Sequence, residues 1–82
     1  MKLSKEEQRK LEKQLDYYKD MYKGFMKKYI EASYDRQRFG YELLAREYEG
    51  KYIGTIHTLD RMGFIEEHER LEYLDQLSLT NE

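Results

Sequence analysis

The residues whose types could do chemistry are few, and they gather towards the C-terminal end. Glu66, Glu69, Glu72 and Asp75 stand at successive steps of three, and His68 precedes Glu72 by four. Carboxylates on helices hold Mg²⁺ or Mn²⁺ when pairs from two helices face each other; His and a carboxylate one turn apart give two of the three or four ligands zinc needs. Glu72 and Asp75 form an ExxD pair, yet residues 1–62 contain no ExxE partner. Steps of three also drift by about 60° each, so these acids sweep round a helix instead of converging on one ion. They are better explained as an acidic helix start, favoured by the helix dipole. His57, the other of the two histidines, reads as a polar residue at the rim of an interface. Cysteine is absent, and no Gly-rich phosphate loop or nucleophile turn is present. The expectation is a protein that is not an enzyme, with no catalytic residue, no metal site and no cofactor.

Tyrosine is the stronger compositional signal: nine Tyr occur with no Trp and no Pro in 82 residues. Tyrosine is enriched where proteins recognise partners, because the ring is apolar and the hydroxyl tolerates water. The net charge of −2 hides a gradient. Residues 1–32 carry nine Lys/Arg against six Asp/Glu, residues 33–62 carry five of each, and residues 63–82 carry one Arg against six acids. A pI near 5.7 lies below that of most dedicated nucleic-acid binders. No apolar run approaches the roughly 20 residues of a membrane span, and the first eight residues do not resemble a signal peptide. A cytoplasmic protein with no membrane partner is expected.

The elements that must carry these residues follow from periodicity. Ser4 and Glu7 have the spacing of a capping box. Leu11, Leu15, Tyr18, Tyr22, Phe25, Tyr29 and Ala32 then recur at alternating steps of four and three, the seam of a packed helix. A second seam comprises Tyr41, Ala45, Tyr48, Tyr52, Thr55, Leu59 and Met62. On one continuous helix the two seams would point about 120° apart, so a turn between them is expected within residues 33–40. Ser33 and Asp35 are its N-cap candidates and Gly40 a stop, while one long curved helix is the alternative. Gly63 fits a left-handed C-terminal cap, and Leu71, Leu74 and Leu77 stripe a third helix. The reading is one all-α domain over 1–82: an antiparallel hairpin of two long helices (about 4–32 and 36–62) plus a short C-terminal helix (about 66–77). Packing is coiled-coil-like, and the assembly is expected to be dimeric.

Helix 2 has a second apolar side. Phe39, Leu43, Ile53 and His57 fall within about 80° of one another, roughly opposite the seam, with Gly50 and Gly54 beside them. Two Gly four residues apart let another backbone approach closely. A helix that is apolar on both sides needs two neighbours, and a chain this short buries only about 60% of its unfolded surface. Phe39, Leu43, Gly50, Ile53, Gly54 and His57 are therefore the expected interface with a second copy or another protein. Tyr17 and Tyr73, off the main stripes, are the expected exposed partner contacts.

The run Leu44-Ala45-Arg46-Glu47-Tyr48-Glu49-Gly50-Lys51-Tyr52-Ile53-Gly54-Thr55-Ile56-His57-Thr58-Leu59 resembles a helix-turn-helix, with its turn at Gly50 and its recognition helix at Tyr52–Met62. Leu59-Asp60-Arg61-Met62-Gly63-Phe64-Ile65 is similar to the end of that helix in winged-helix repressors. Here Gly follows Ala by five residues where the family has four, and an acidic helical segment stands where the wing strands belong. The resemblance implies a DNA-binding regulator, with Lys23, Lys27, Lys28, Lys51 and Arg61 as nucleic-acid contacts. A remoter likeness, through Glu72 and Asp75, is to all-α metal-dependent nucleotide hydrolases. The preferred expectation is a small helical adaptor or inhibitor that binds another protein, of the kind found among bacterial, phage or mobile-element accessory factors.

Overall fold

The computed structural model describes residues 2–78. Its first helix, α1 (Lys5–Glu31), begins where the sequence places a capping box. The Glu7 N–H donates to Ser4 Oγ at 3.1 Å and the Ser4 N–H donates to Glu7 Oε1 at 3.0 Å. These two bonds satisfy donors that a helix start otherwise leaves open, and they hold the Glu7 carboxyl below its ordinary pKa.

Ala32 and Tyr34 are extended (φ −70°, ψ 139° and φ −112°, ψ 138°), and the chain reverses through them into α2 (Asp35–Arg61). The cap differs from the expected one. Tyr34 occupies the N-cap position with no side-chain hydrogen bond, Asp35 is already helical, and Gly40 lies inside α2. Asp35 still contributes, as an acid in the first turn where the dipole favours negative charge. Each long helix has 27 residues, and the two lie against each other along their length in a body of 48 × 24 × 19 Å.

α2 ends as the glycine predicts. Gly63 has φ +81°, its N–H donates to Asp60 O at 3.0 Å, and the Phe64 N–H donates to Leu59 O at 2.9 Å. Those two bonds make a Schellman closure, and Phe64 packs back onto the core that contains Leu59. The chain then enters α3 (Glu67–Asp75), where the Glu66 N–H donates to Glu69 Oε1 at 2.9 Å.

The core is Leu15 and Tyr22 from α1, Ala45, Tyr52, Ile56 and Leu59 from α2, and Leu77 after α3. In α2 the seam shifts by one residue from the expected line. Ile56 is fully buried, whereas Thr55 is half-buried with its hydroxyl donating to Lys51 O at 2.7 Å. Burying isoleucine removes more apolar area from water, and α3 packs on the Ile53–Ile56 side of α2, moving the centre of burial that way. Met62, beyond the last helical residue, is exposed.

α3 also docks in a different register from the leucine stripe. Arg70, Tyr73, Leu74 and Leu77 form the inward face, at i, i+3, i+4 and i+7, and Leu71 is 55% exposed. Arg70 on this face brings its guanidinium 3.4 Å from Asp60 of α2. Lys19 Nζ donates to Gln76 Oε1 at 3.4 Å and ties the end of α3 to α1.

The glycines provide a stability test. Gly63→Ala forces a β-carbon into the left-handed region and should cost about 1 kcal/mol or more. A Cβ at Gly24 meets no side chain and no other element within 4 Å, so Gly24→Ala should raise stability by about 1 kcal/mol through helix propensity alone. Urea midpoints decide it; a Gly24→Ala variant less stable than the parent would contradict the open surface described at that position.

Candidate interaction surface

The chemically suggestive residues do not assemble. His57 and His68 are both exposed, and His68 Nδ1 lies 3.4 Å from Glu66 Oε2 instead of turning to Glu72. Among the described residues no three His, Cys, Asp or Glu side chains are placed to share a metal ion. The acids of α3 act on tyrosine instead. Burial, and then the charges of Glu12, Glu69, Asp16 and Glu72, raise the Tyr73 hydroxyl above its ordinary pKa.

What the structure does assemble is an aromatic flank. A helical hairpin has two long grooves, one on each side of the contact line. Counting from Ala45 on α2, Tyr48 lies about 60° to one side and Asp60, which meets α3, about 60° to the other. On α1, counting from Leu15, Phe25 lies about 80° to the first side and Lys19 about 40° to the second. The second groove receives α3. In the first, Tyr17, Tyr18 and Phe25 of α1 join Tyr41 and Tyr48 of α2 in one linked set of rings. Tyr17 meets Tyr48 edge-on at 5.9 Å, and Phe25 stacks on Tyr48 at 6.0 Å and on Tyr41 at 6.4 Å. Lys28 Nζ sits 5.7 Å from the Phe25 ring centre, and Lys51 Nζ sits 5.1 Å from that of Tyr48. The neighbouring Tyr17 hydroxyl, and then partial burial, raise the Tyr48 hydroxyl above its ordinary pKa. Tyr17 is 53% exposed and Leu44 is exposed beside it.

The back face of α2 is open along most of its length. Phe39 is 62% and Leu43 55% exposed, and Gly50, Gly54 and His57 are exposed with them. Ile53 is not part of that surface; it is half-buried against the core. Ile53 lies only about 80° from Ala45, near enough to the seam for α3 and the Phe64–Ile65 turn to claim it. Tyr73 is likewise corrected, from exposed contact to half-buried core neighbour whose carbonyl accepts the Tyr52 hydroxyl at 2.8 Å. Tyr17 is exposed as expected.

The helix-turn-helix expectation fails on geometry. Residues 44–61 are one unbroken stretch of α2, and Gly50 makes no turn. A helical glycine costs about 1 kcal/mol, and the packing of Tyr48 and Tyr52 on either side carries the helix through it. The cations expected to touch nucleic acid are dispersed as well. Lys23 is half-buried, Lys27 and Arg61 are exposed, Lys28 lies over rings, and Lys51 is 3.3 Å from Glu47. Lys23 and Lys28 point about 140° apart round α1.

Sequence reasoning did not single out the aromatic flank. Its signal was present in Tyr17, Met21 and Leu44, apolar residues one step off the seams on matching sides of the two helices. No family model, no curated protein and no solved structure matches this chain.

Tyr52 offers a direct test of the core beneath this surface. Burial, with Tyr73 and Asp16 nearby, pushes its hydroxyl up to about 12 from 10.0. The folded state thus holds a proton that the unfolded chain releases above pH 10.0. Tyr52 contributes fully below that pH, and its contribution is lost as pH rises through about 12. Tyr52→Phe should cost about 1 kcal/mol at neutral pH and make stability fall less steeply with alkali. Denaturation series at several pH values read both effects, and an unchanged alkaline slope would refute the role given to this hydroxyl.

Proposed function

We propose that this chain is a small non-enzymatic helical interaction module, an adaptor or inhibitor, which acts by binding another protein and pairs with a second copy of itself. The observation that supports this is the imbalance between its inside and its outside. Among the described residues, seven make up the buried core, while eight large apolar or aromatic side chains are exposed, namely Tyr17, Ile30, Tyr34, Phe39, Leu43, Leu44, Met62 and Leu71. Scattered exposed leucines are ordinary, but exposed apolar groups that line up mark recognition surfaces. Phe39 and Leu43 are one turn apart on α2 and continue into Gly50, Gly54 and His57 on the same side. That line is the surface we assign to self-association. Its two glycines leave room for a backbone: among the described residues, no side chain and no other element lies within 4 Å of where their β-carbons would be.

No helix among the described residues is long and apolar enough to cross a membrane. DNA is not carried forward as the preferred partner, because α2 continues through the position where a reading head would need its turn.

The test separates association from folding. Phe39 and Leu43 are mostly in solvent, so Phe39→Asp and Leu43→Asp should change monomer stability by no more than about 0.5 kcal/mol. Sedimentation equilibrium of the parent should give a mass above the 10.1 kDa of one chain, and either variant should return it to that value. A parent that sediments as a single chain up to high micromolar concentration removes the dimer from the proposal. Ile53→Asp is unsuitable for this purpose, since a charge there enters the edge of the core.

A further inference from the structure

We infer that the aromatic groove between α1 and α2, on the side not covered by α3, is the docking site for an acidic amphipathic helix of a partner protein; this rests on the interaction-module reading above. The aromatic strip is helix-sized in length: on the side away from α3 it runs from Tyr17 to Lys28 of α1, about three helical turns. Its floor is apolar and ringed, from Tyr18, Phe25 and Tyr48, and its open edges are Tyr17 and Leu44. Helices seat in such grooves through apolar anchors at i, i+3 or i+4, and i+7.

Charge selects the occupant. Lys28 and Lys51 hold their ammonium groups over the rings, 5.7 Å from Phe25 and 5.1 Å from Tyr48. Glu47, which Lys51 already engages at 3.3 Å, is the acid that offsets them locally. A helix whose apolar stripe is bordered by Asp and Glu would meet this rim with opposite charge and keep its anchors on the rings. A two-fold-related copy of this chain would set lysine-bearing rims against each other, which disfavours a second copy in this groove. Single-stranded nucleic acid is disfavoured because only Lys28 and Lys51 stand over the rings, Lys51 is already engaged by Glu47, and the chain as a whole is acidic.

The test uses the full-length ¹⁵N-labelled chain and three probes. One is an 18-residue amphipathic peptide with Leu and Phe anchors at i, i+3, i+4 and i+7 and Glu elsewhere on its surface. The second is its twin with Lys for every Glu, and the third is a 12-nucleotide single strand. The chain is acidic as a whole, so bulk attraction favours the Lys twin; preference for the Glu peptide requires the local rim. The expected result is at least tenfold tighter binding of the Glu peptide, with amide shifts at Tyr17, Met21, Leu44 and Tyr48, and a reversed preference in the Lys28→Glu, Lys51→Glu double variant. Leu44→Asp, at an exposed position, should weaken the Glu peptide tenfold with an unchanged helical spectrum. Equal or tighter binding of the Lys twin, shifts at the rings caused by the oligonucleotide, or no binding of either peptide overturns the groove assignment. Shifts confined to Phe39 and Leu43 overturn it too, while leaving the interaction-module reading standing on the back face of α2.

Discussion

Two helices in contact shelter one stripe on each, and that limit governs the rest of this molecule. α1 and α2 meet along Leu15, Tyr22, Ala45, Tyr52, Ile56 and Leu59, and on either side of that line the hairpin has a groove that the pair cannot close. α3 closes part of one. It does so through a compact set of contacts: the Tyr52 hydroxyl on the Tyr73 carbonyl, Arg70 beside Asp60, and Leu77 in the core. Nine helical residues cover about 13 Å, well short of the roughly 40 Å of each long helix. Open apolar surface is therefore a consequence of the chain's proportions.

Tyrosine makes that openness tolerable. A leucine or phenylalanine at each ring position would give a greasy strip able to pair with any other. A tyrosine keeps the same contact area and places a hydroxyl at the solvent edge. The hydroxyls are used differently according to depth. Tyr52 is buried and donates its proton to a carbonyl; Tyr18 accepts from Gln14 Nε2 at 2.8 Å, and Tyr48 meets the Tyr17 ring edge-on at the surface. The deeper the ring, the more fixed its partner. At the open edge the contacts lie between neighbours on the same surface, which leaves the rings accessible in the sense a recognition surface needs.

Much of the fold was legible because it depends on local chemistry. The Ser4–Glu7 box and the Gly63 stop are set by residues within a few positions of one another, and the alternating four-and-three spacing gives the two long helices and their antiparallel pairing. The turn was harder to place. The chain reverses through extended Ala32 and Tyr34 with no side-chain cap, so Ser33, Asp35 and Gly40 were conspicuous residues at positions where the backbone did not use them. The site was less legible than the fold, because exposure depends on where a short helix lands. α3 docks with Arg70, Tyr73, Leu74 and Leu77 inward, which turns Leu71 outward and shelters Ile53 and Ile56. None of those four outcomes follows from periodicity in α2 or α3 taken alone.

The Gly50–Gly54 pair shows the same dependence from the other direction. Read in sequence, a glycine after a helical run suggests a turn, and the likeness to a helix-turn-helix rested on that. In the fold, Tyr48 and Tyr52 are held against α1 on the opposite side of the helix, so tertiary packing outweighs the local preference and the glycines become bare surface. A glycine there weakens the helix and contributes no contact within the chain. Its cost is recovered only when something else packs against it, and the same holds for the half-covered rings across the hairpin. Any molecule that binds the folded chain at either surface and not the unfolded one also stabilises it by mass action. For so small a core, any such occupancy would add burial that the hairpin does not provide by itself.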